Sequence, residues 1–234
     1  MSRFDEFATE YEVALSQNLR FIPGGVNYYY QNRVNIAIRE MASQSPPERI
    51  LDFGGGVGLT VPLLCKAFPR SVVSLCDASA ESTSQAKLRY PYVEVLNGES
   101  LPERHFDLIF VAGVIHHIDP ANRHDVLNRL SRSLALGGLL ILYELNPLNP
   151  ITRRLVRCCP FDDDAELISK GKLKELVETH GELRVINEAF MVFLPPVLGR
   201  LARLEQLLKW CPLGAQYYLT ISHSKNPSWN ARQL

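Results

Sequence analysis

Two stretches of this chain hold residues whose types and spacing could do chemistry. The first is Asp52-Phe53-Gly54-Gly55-Gly56-Val57-Gly58, with four glycines in five positions. Glycine lacks a Cβ and reaches positive φ readily, so Gly54, Gly56 and Gly58 let the backbone press directly against a ligand. The second is Ile115-His116-His117-Ile118, which turns off the apolar run Phe106 to Val111. An imidazole, with an unperturbed pKa of about 6.5, suits proton removal near neutrality. Glu144 and Asn146 emerge from another apolar run, Leu139 to Tyr143, and either suits holding a substrate hydroxyl or orienting a histidine. Adjacent residues point apart, so one histidine is expected to face a pocket and the other to pack or hydrogen-bond internally. No third ligand stands at metal spacing beside them, and no metal is expected. A purely structural role for the pair stays open.

These residues need elements to position them. Apolar Ile50-Leu51 enters the glycine loop, and Val61, Leu63, Leu64, Ala67 and Phe68 leave it with helical spacing. Pro62 fits the first turn of that helix. The unit reads as strand, tight turn, helix. A dinucleotide fingerprint would need glycine at the sixth position of the loop. Counted from Gly54 that position is Leu59, and counted from Gly56 it is Val61, so neither register fits. The next strand-like run, Ser71 to Cys76, ends at Asp77, 23 residues after Gly54. That is near the distance at which Rossmann-like folds set an acid against ribose hydroxyls; a helix N-cap is the alternative for Asp77. Strands are expected again at Val93 to Leu96, Phe106 to Val111, Leu139 to Glu144, Leu183 to Leu194 and Ala215 to Ser222. Helices are expected between them, including Asn122 to Ser133 stopped by Gly137-Gly138, one around Leu173 to Val177, and one from Val197 to Trp210. In open α/β sheets ligands sit outside the carboxyl ends of the strands, where His116 and His117 fall.

The Asp-x-Gly-x-Gly-x-Gly pattern resembles the nucleotide loop of the class I S-adenosylmethionine-dependent methyltransferases. The resemblance is strong over residues 48 to 145 and looser on the flanks. It implies an α/β fold with a Rossmann-like, mostly parallel seven-stranded sheet in the order 3-2-1-4-5-7-6, helices on both faces and an antiparallel last strand. It also implies S-adenosylmethionine as cofactor, held by Asp52, Gly54, Gly55, Gly56, Gly58, Asp77 and Ala78. Asn97-Gly98-Glu99-Ser100-Leu101-Pro102 is similar to the family's adenine-side stretch, with Gly98 and Glu99 in its contact positions, and Ala112 and Gly113 complete the set. The opening Phe4, Asp5, Ala8 and Tyr11 is similar to that of relatives whose helical preamble closes the pocket, so Tyr11 is expected to reach the cofactor. His116-His117 is similar to a Leu-His-His motif common to methyltransferases of varied substrates.

A length of 234 residues, 46% hydrophobic, suits one α/β domain with a modest cap. We expect a helical N-terminal cap over 1–47, the main domain over 48–225 with cap or insert segments at 147–165 and 195–213, and a frayed tail at 226–234. Basic and acidic residues balance at 25 each, so no global field draws the chain to nucleic acid. The amino terminus lacks a signal-peptide pattern and no apolar run spans a membrane; a cytoplasmic protein, monomeric or homodimeric, is expected. The five cysteines lack C-x-x-C spacing; Cys65 and Cys76 read as small core residues, while the adjacent Cys158 and Cys159 could hold a metal or be redox-active, although no second ligand pair follows at zinc spacing.

The expected acceptor is a small molecule, with O-methylation favoured. Tyr28 and Tyr29 in the preamble, Asn146, and Arg153 and Arg154 with Arg157 are expected on the substrate side. A guanidinium suits phosphate or carboxylate, although the arginines could equally pair with Asp162 to Asp164. The expected tail helix, with apolar residues at Val197, Leu201, Leu204 and Leu208, could cap the site, pack in a core or rest on a membrane. Two other functions compete: a non-catalytic cofactor-binding regulatory module, and a nucleotide-dependent oxidoreductase. The latter expects a Tyr-x-x-x-Lys pair that the sequence lacks.

Overall fold

The computed structural model describes residues 25–159, 162–179, 181–193 and 206–224. Tyr11, with the rest of the N-terminal preamble before Gly25, lies outside these residues, as do most of the expected tail helix and the last ten positions.

The first described helix, α1 (Gly25–Met41), is followed by β1 (Arg49–Phe53), α2 (Val61–Ala67), β2 (Val72–Cys76), α3 (Ala80–Arg89), β3 (Glu94–Val95) and β4 (Phe106–Ala112). Then come α4 (Arg123–Ser133), β5 (Leu134–Leu145), α5 (Pro150–Arg157), α6 (Lys170–Glu178), β6 (Leu183–Met191) and β7 (Gln216–His223). The seven strands form one sheet in the order β3-β2-β1-β4-β5-β7-β6. Neighbours pair in parallel through β5, and β7 runs antiparallel to both β5 and β6. Order and sense are those expected.

The central strands are buried on both faces, which is why they read as continuous apolar runs. Ile50, Leu108, Phe110, Ile141 and Tyr143 face α1, α2 and α3; Leu51, Ile109, Val111, Leu140 and Leu142 face α4 and α6. Each such side chain contributes about 1.5–3 kcal/mol by leaving water. Polar groups inside are paired: the Tyr143 hydroxyl donates to the Arg33 carbonyl and that of Tyr217 to the Ile168 carbonyl, both at 2.8 Å.

One element differs from expectation. The helix before β5 stops at Ser133, as expected, but Gly137-Gly138 lies inside the strand instead of ending the helix. Pairing jumps from Phe106↔Leu134 to Leu108↔Leu139, a bulge on β5. A Cβ at Gly138 would stand 3.0 Å from the carbonyl oxygens of Phe106 and Asp107, so the glycine permits close strand approach rather than ending a helix. The segment Gln206–Leu208 forms a short 3-10 turn. Among the described residues no helix is long and apolar enough to cross a membrane.

Candidate active site

At the carboxyl ends of β1, β2 and β4 the chain walls a cavity of about 680 Å³. Its floor is the glycine loop, where Gly54, Gly56 and Gly58 all take positive φ. Two of these show why side chains are excluded. A Cβ on Gly54 would overlap Val114 at 2.4 Å, whereas one on Gly56 would meet nothing nearer than Asp77 Oδ2 at 4.0 Å and would project into the cavity. The first glycine serves packing, and the second leaves room for a ligand.

Asp77, at the end of β2, accepts from the Gly56 N–H at 2.8 Å and from the Ser79 N–H at 2.9 Å, one on each carboxylate oxygen. A carboxylate has about four acceptor positions, so capacity remains on both oxygens toward the cavity it lines. Ser79, not Asp77, is the N-cap of α3, accepting from the Ser82 N–H. Asp52 is 2% exposed and its Oδ2 has no hydrogen-bond partner. Burial, then the neighbouring Asp77 charge, push its pKa up to about 7. A buried, unsatisfied acceptor beside a cavity calls for a donor from a ligand.

The opposite wall carries the histidines, on a 3-10 turn Ile115–His117 beyond β4. Glu144, 1% exposed on β5, accepts from the Val114 and Ile115 N–H groups at 3.1 and 2.7 Å and holds His116 Nδ1 at 2.5 Å. The ring centroids of His116 and His117 lie 4.2 Å apart with the planes tilted by 43°, so the two side chains stay together rather than diverging. Both line the cavity. Asp162 sits below them, 3.9 Å from His116 Nε2 and 3.5 Å from His117 Nε2, and Asp164 is 3.3 Å from His117 Nδ1.

A family profile described as a methyltransferase domain matches residues 51–140. An uncharacterized methyltransferase of Synechocystis is 30% identical over 128 residues, 53% of this chain and 57% of that protein. A trans-aconitate 2-methyltransferase of Methylobacterium nodulans is 33% identical over 114 residues, 47% of this chain and 43% of that one. The chain thus spans about half the length of the curated relatives it matches. A solved S-adenosylmethionine-dependent methyltransferase of Archaeoglobus fulgidus superposes with a TM-score of 0.66 at 17% identity, covering 91% of this chain and 99% of that one. Residues 51–140 are thus similar to a methyltransferase domain, and the chain shares the fold of that solved methyltransferase.

The Archaeoglobus fulgidus protein is named for its dependence on S-adenosylmethionine, and the loop of this chain fits such a group. The Gly56 notch leaves space, Asp77 keeps acceptor capacity and Asp52 lacks a donor. Of the residues expected to bind it, Asp52, Gly54, Gly55, Gly56, Asp77, Ala78, Gly98, Glu99, Ala112 and Gly113 line the cavity. Gly58 does not. It faces Tyr90 and Ala86, where a Cβ would come within 3.1 to 3.3 Å, so it serves the packing of α3 against the loop.

On the acceptor side the expectations need more correction. Tyr29 lines the cavity but Tyr28 does not; it stands edge-on to Tyr29 at 6.1 Å, and Tyr30 faces the cavity instead. Successive helical residues are rotated by about 100°, and the register of α1 is set by its buried residues Val34, Ala37 and Met41. Asn146 is fully buried and binds no cavity. Its amide donates to the Pro212 and Gly214 carbonyls and accepts from the Leu148 N–H, pinning the chain before β7 to the end of β5. Arg153 and Arg154 lie on the outer face of α5, with Arg157, and line a separate surface cavity. They do not pair with the aspartates, because Asp162 and Asp164 turn inward to the histidines. The inner face of α5 supplies Thr152, Leu155 and Val156 to the main cavity. Arg33, Gln216 and Asp162 also line it and were not singled out in the sequence. Arg33 sits three and four residues after Tyr30 and Tyr29, a same-face spacing that could have flagged it.

His116, His117 and Asp162 offer ligand atoms within 4.8 Å of one another, so the third group missing at sequence level exists, 45 residues beyond His117. The corner is already supplied with positive charge. Burial alone would lower the His116 pKa, but the Glu144 charge and the hydrogen bonds to Asp162 and Glu144 outweigh it and raise the value to about 9. His117 is lowered by burial and by the neighbouring His116. At neutral pH His116 is therefore the imidazolium and His117 the neutral ring.

The sign of the linkage is fixed by that shift. A His pKa raised from 6.5 to about 9 in the folded state adds stability that is full below about pH 6.5 and is lost as pH rises through 9. Melting temperature should fall across this window, and Glu144→Gln should flatten the fall. An equal slope in both proteins would contradict the Glu144–His116 pairing.

Proposed function

We propose that this chain is an S-adenosylmethionine-dependent methyltransferase that methylates an oxygen of a small molecule. The observation that carries the reading is the polar corner of His116, His117 and Asp162, backed by Glu144, opening onto the same cavity as the glycine notch. When bound, S-adenosylmethionine supplies a methyl group on a sulfonium, electrophilic without help from the protein. The chain's task is then to align the acceptor, exclude water and take up a proton.

Tyr29, Val114, Ile118 and Leu155 give the cavity an apolar wall, which favours an acceptor with an apolar or sugar-like portion, such as a quinone precursor, polyketide or glycosyl compound. The neutral His117 is the base: its Nδ1–H donates to Asp164, and its ring, with Nε2 3.5 Å from Asp162, lines the cavity where the hydroxyl proton is taken up. Glu144 holds His116 as a cation beneath it and so keeps His117 neutral. The trans-aconitate relatives accord with a small acceptor bearing oxygen.

A screen of hydroxyl and carboxyl acceptors by mass, looking for the gain of one methylene, tests the reading. Cofactor binding with no turnover on any acceptor would favour a regulatory binding module. With an acceptor in hand, His117→Ala should remove the acid limb of the rate profile, and EDTA should leave the rate unchanged. A profile that survives replacement of both histidines by alanine would remove them from proton transfer.

A further inference from the structure

The outer face of α5 and the turn preceding β7 form a surface that methyl transfer does not use. On it Leu148, Ile151, Leu207, Trp210 and Leu213 are 59%, 68%, 69%, 77% and 61% exposed. Large apolar side chains scattered singly need no explanation, but these belong to two segments tied together. The Asn149 side chain donates to the Leu213 carbonyl at 2.6 Å, Asn146 donates to those of Pro212 and Gly214, and the Thr152 hydroxyl donates to that of Ala215.

Beside this apolar ledge, Arg153, Arg154 and Arg157 line a surface cavity of about 550 Å³ with Pro150 and Cys158. All three are exposed, and none has a carboxylate partner among the described residues. α5 is therefore amphipathic in an unusual sense. Thr152 and Val156 are buried toward the cofactor cavity, while its outer face sets cations next to exposed leucine, isoleucine and, from the adjoining turn, tryptophan. Cationic side chains beside apolar ones, with a tryptophan at the rim, match the boundary between lipid headgroups and acyl chains. Each arginine near an anionic leaflet strengthens partitioning about fivefold.

We propose that this face is a docking surface for an anionic lipid bilayer, with headgroup phosphates on Arg153, Arg154 and Arg157 and Ile151, Trp210 and Leu213 entering the interface. Docked this way, the chain holds the cavity one helix thickness from the membrane, since Leu155 both lines the cavity and is 37% exposed. The surface needs no cofactor and no acceptor, so its test is separate from that of the activity.

The whole chain is floated with phosphatidylcholine vesicles, with and without phosphatidylglycerol, and the bound fraction is read. Binding should require phosphatidylglycerol and weaken as salt is raised. The triple variant R153E/R154E/R157E and, separately, I151S/W210S should each lower the partition coefficient at least about tenfold, as loss of two or three such contacts predicts, while still binding S-adenosylhomocysteine as a check of folding. In a Trp229→Phe background, lipid brominated in its acyl chains should quench Trp210. Equal binding to both vesicle types, no binding to either, an unaffected triple variant, or a dimer in which Trp210 is shielded from quencher without lipid would each overturn the proposal.

Discussion

Gly56→Val should weaken the binding of S-adenosylhomocysteine by at least about 100-fold, roughly 2.7 kcal/mol, with the fold retained. Gly56 holds φ +53, and the nearest atom to an added Cβ is 4.0 Å away. A β-branched residue at that φ costs about 1–3 kcal/mol in backbone strain, a tolerable loss for most domains. The side chain has no protein atom to displace, so its bulk falls on whatever occupies the notch. Gly54 would be a poor site for the same test, because its Cβ would overlap Val114 and confuse misfolding with lost binding. Calorimetry on Gly56→Val, beside a circular dichroism spectrum like that of the parent, reads the effect. Affinity unchanged within error would mean that the cofactor's adenosyl group lies elsewhere.

Glu144→Gln should lower kcat by about 10²- to 10⁴-fold, the range for proton-transfer groups, and bring the His116 pKa down from about 9. Glu144 is a positioning residue. Its carboxylate is spent on His116 and on two backbone N–H groups, and it does not line the cavity. Gln keeps the shape and one acceptor oxygen but removes the charge that makes His116 a cation. His117, no longer beside an imidazolium, should then titrate higher. An NMR titration of both rings separates this from mere disorder: a structural lesion would broaden them, whereas the account predicts two discrete shifts with affinity for S-adenosylhomocysteine kept. A rate within about twofold of the parent would remove the pair from the mechanism.

What could be read from the sequence follows how far each signal reaches along the chain. The loop from Asp52 to Gly58 was legible because glycine spacing, the entering strand and the leaving helix are neighbours in sequence. Its topology came through resemblance, since parallel strands separated by long crossovers leave no local record of their order. Asp162 was not legible as a partner of His117, being set among prolines in an irregular stretch and brought over only by the path after α5. Asn146 was misread for a general reason: a polar group leaving an apolar strand looks the same whether it meets a substrate or the chain's own carbonyls. Gly137 and Gly138 were misread as a helix stop because a glycine pair also serves a bulge, and the choice depends on the partner strand. The arginines of α5 read as candidates for an anion, but which face of α5 they occupy depends on what Thr152 and Val156 pack against.

The central claim is that a glycine notch and two acids hold the adenosyl amino acid. The most direct measurement is a crystal structure with S-adenosylhomocysteine. The account predicts the adenosyl group against Gly56, the ribose hydroxyls on Asp77 and the amino group satisfying Asp52 Oδ2. Density for the ligand away from the notch, or an Asp77 carboxylate turned from it, would contradict the account.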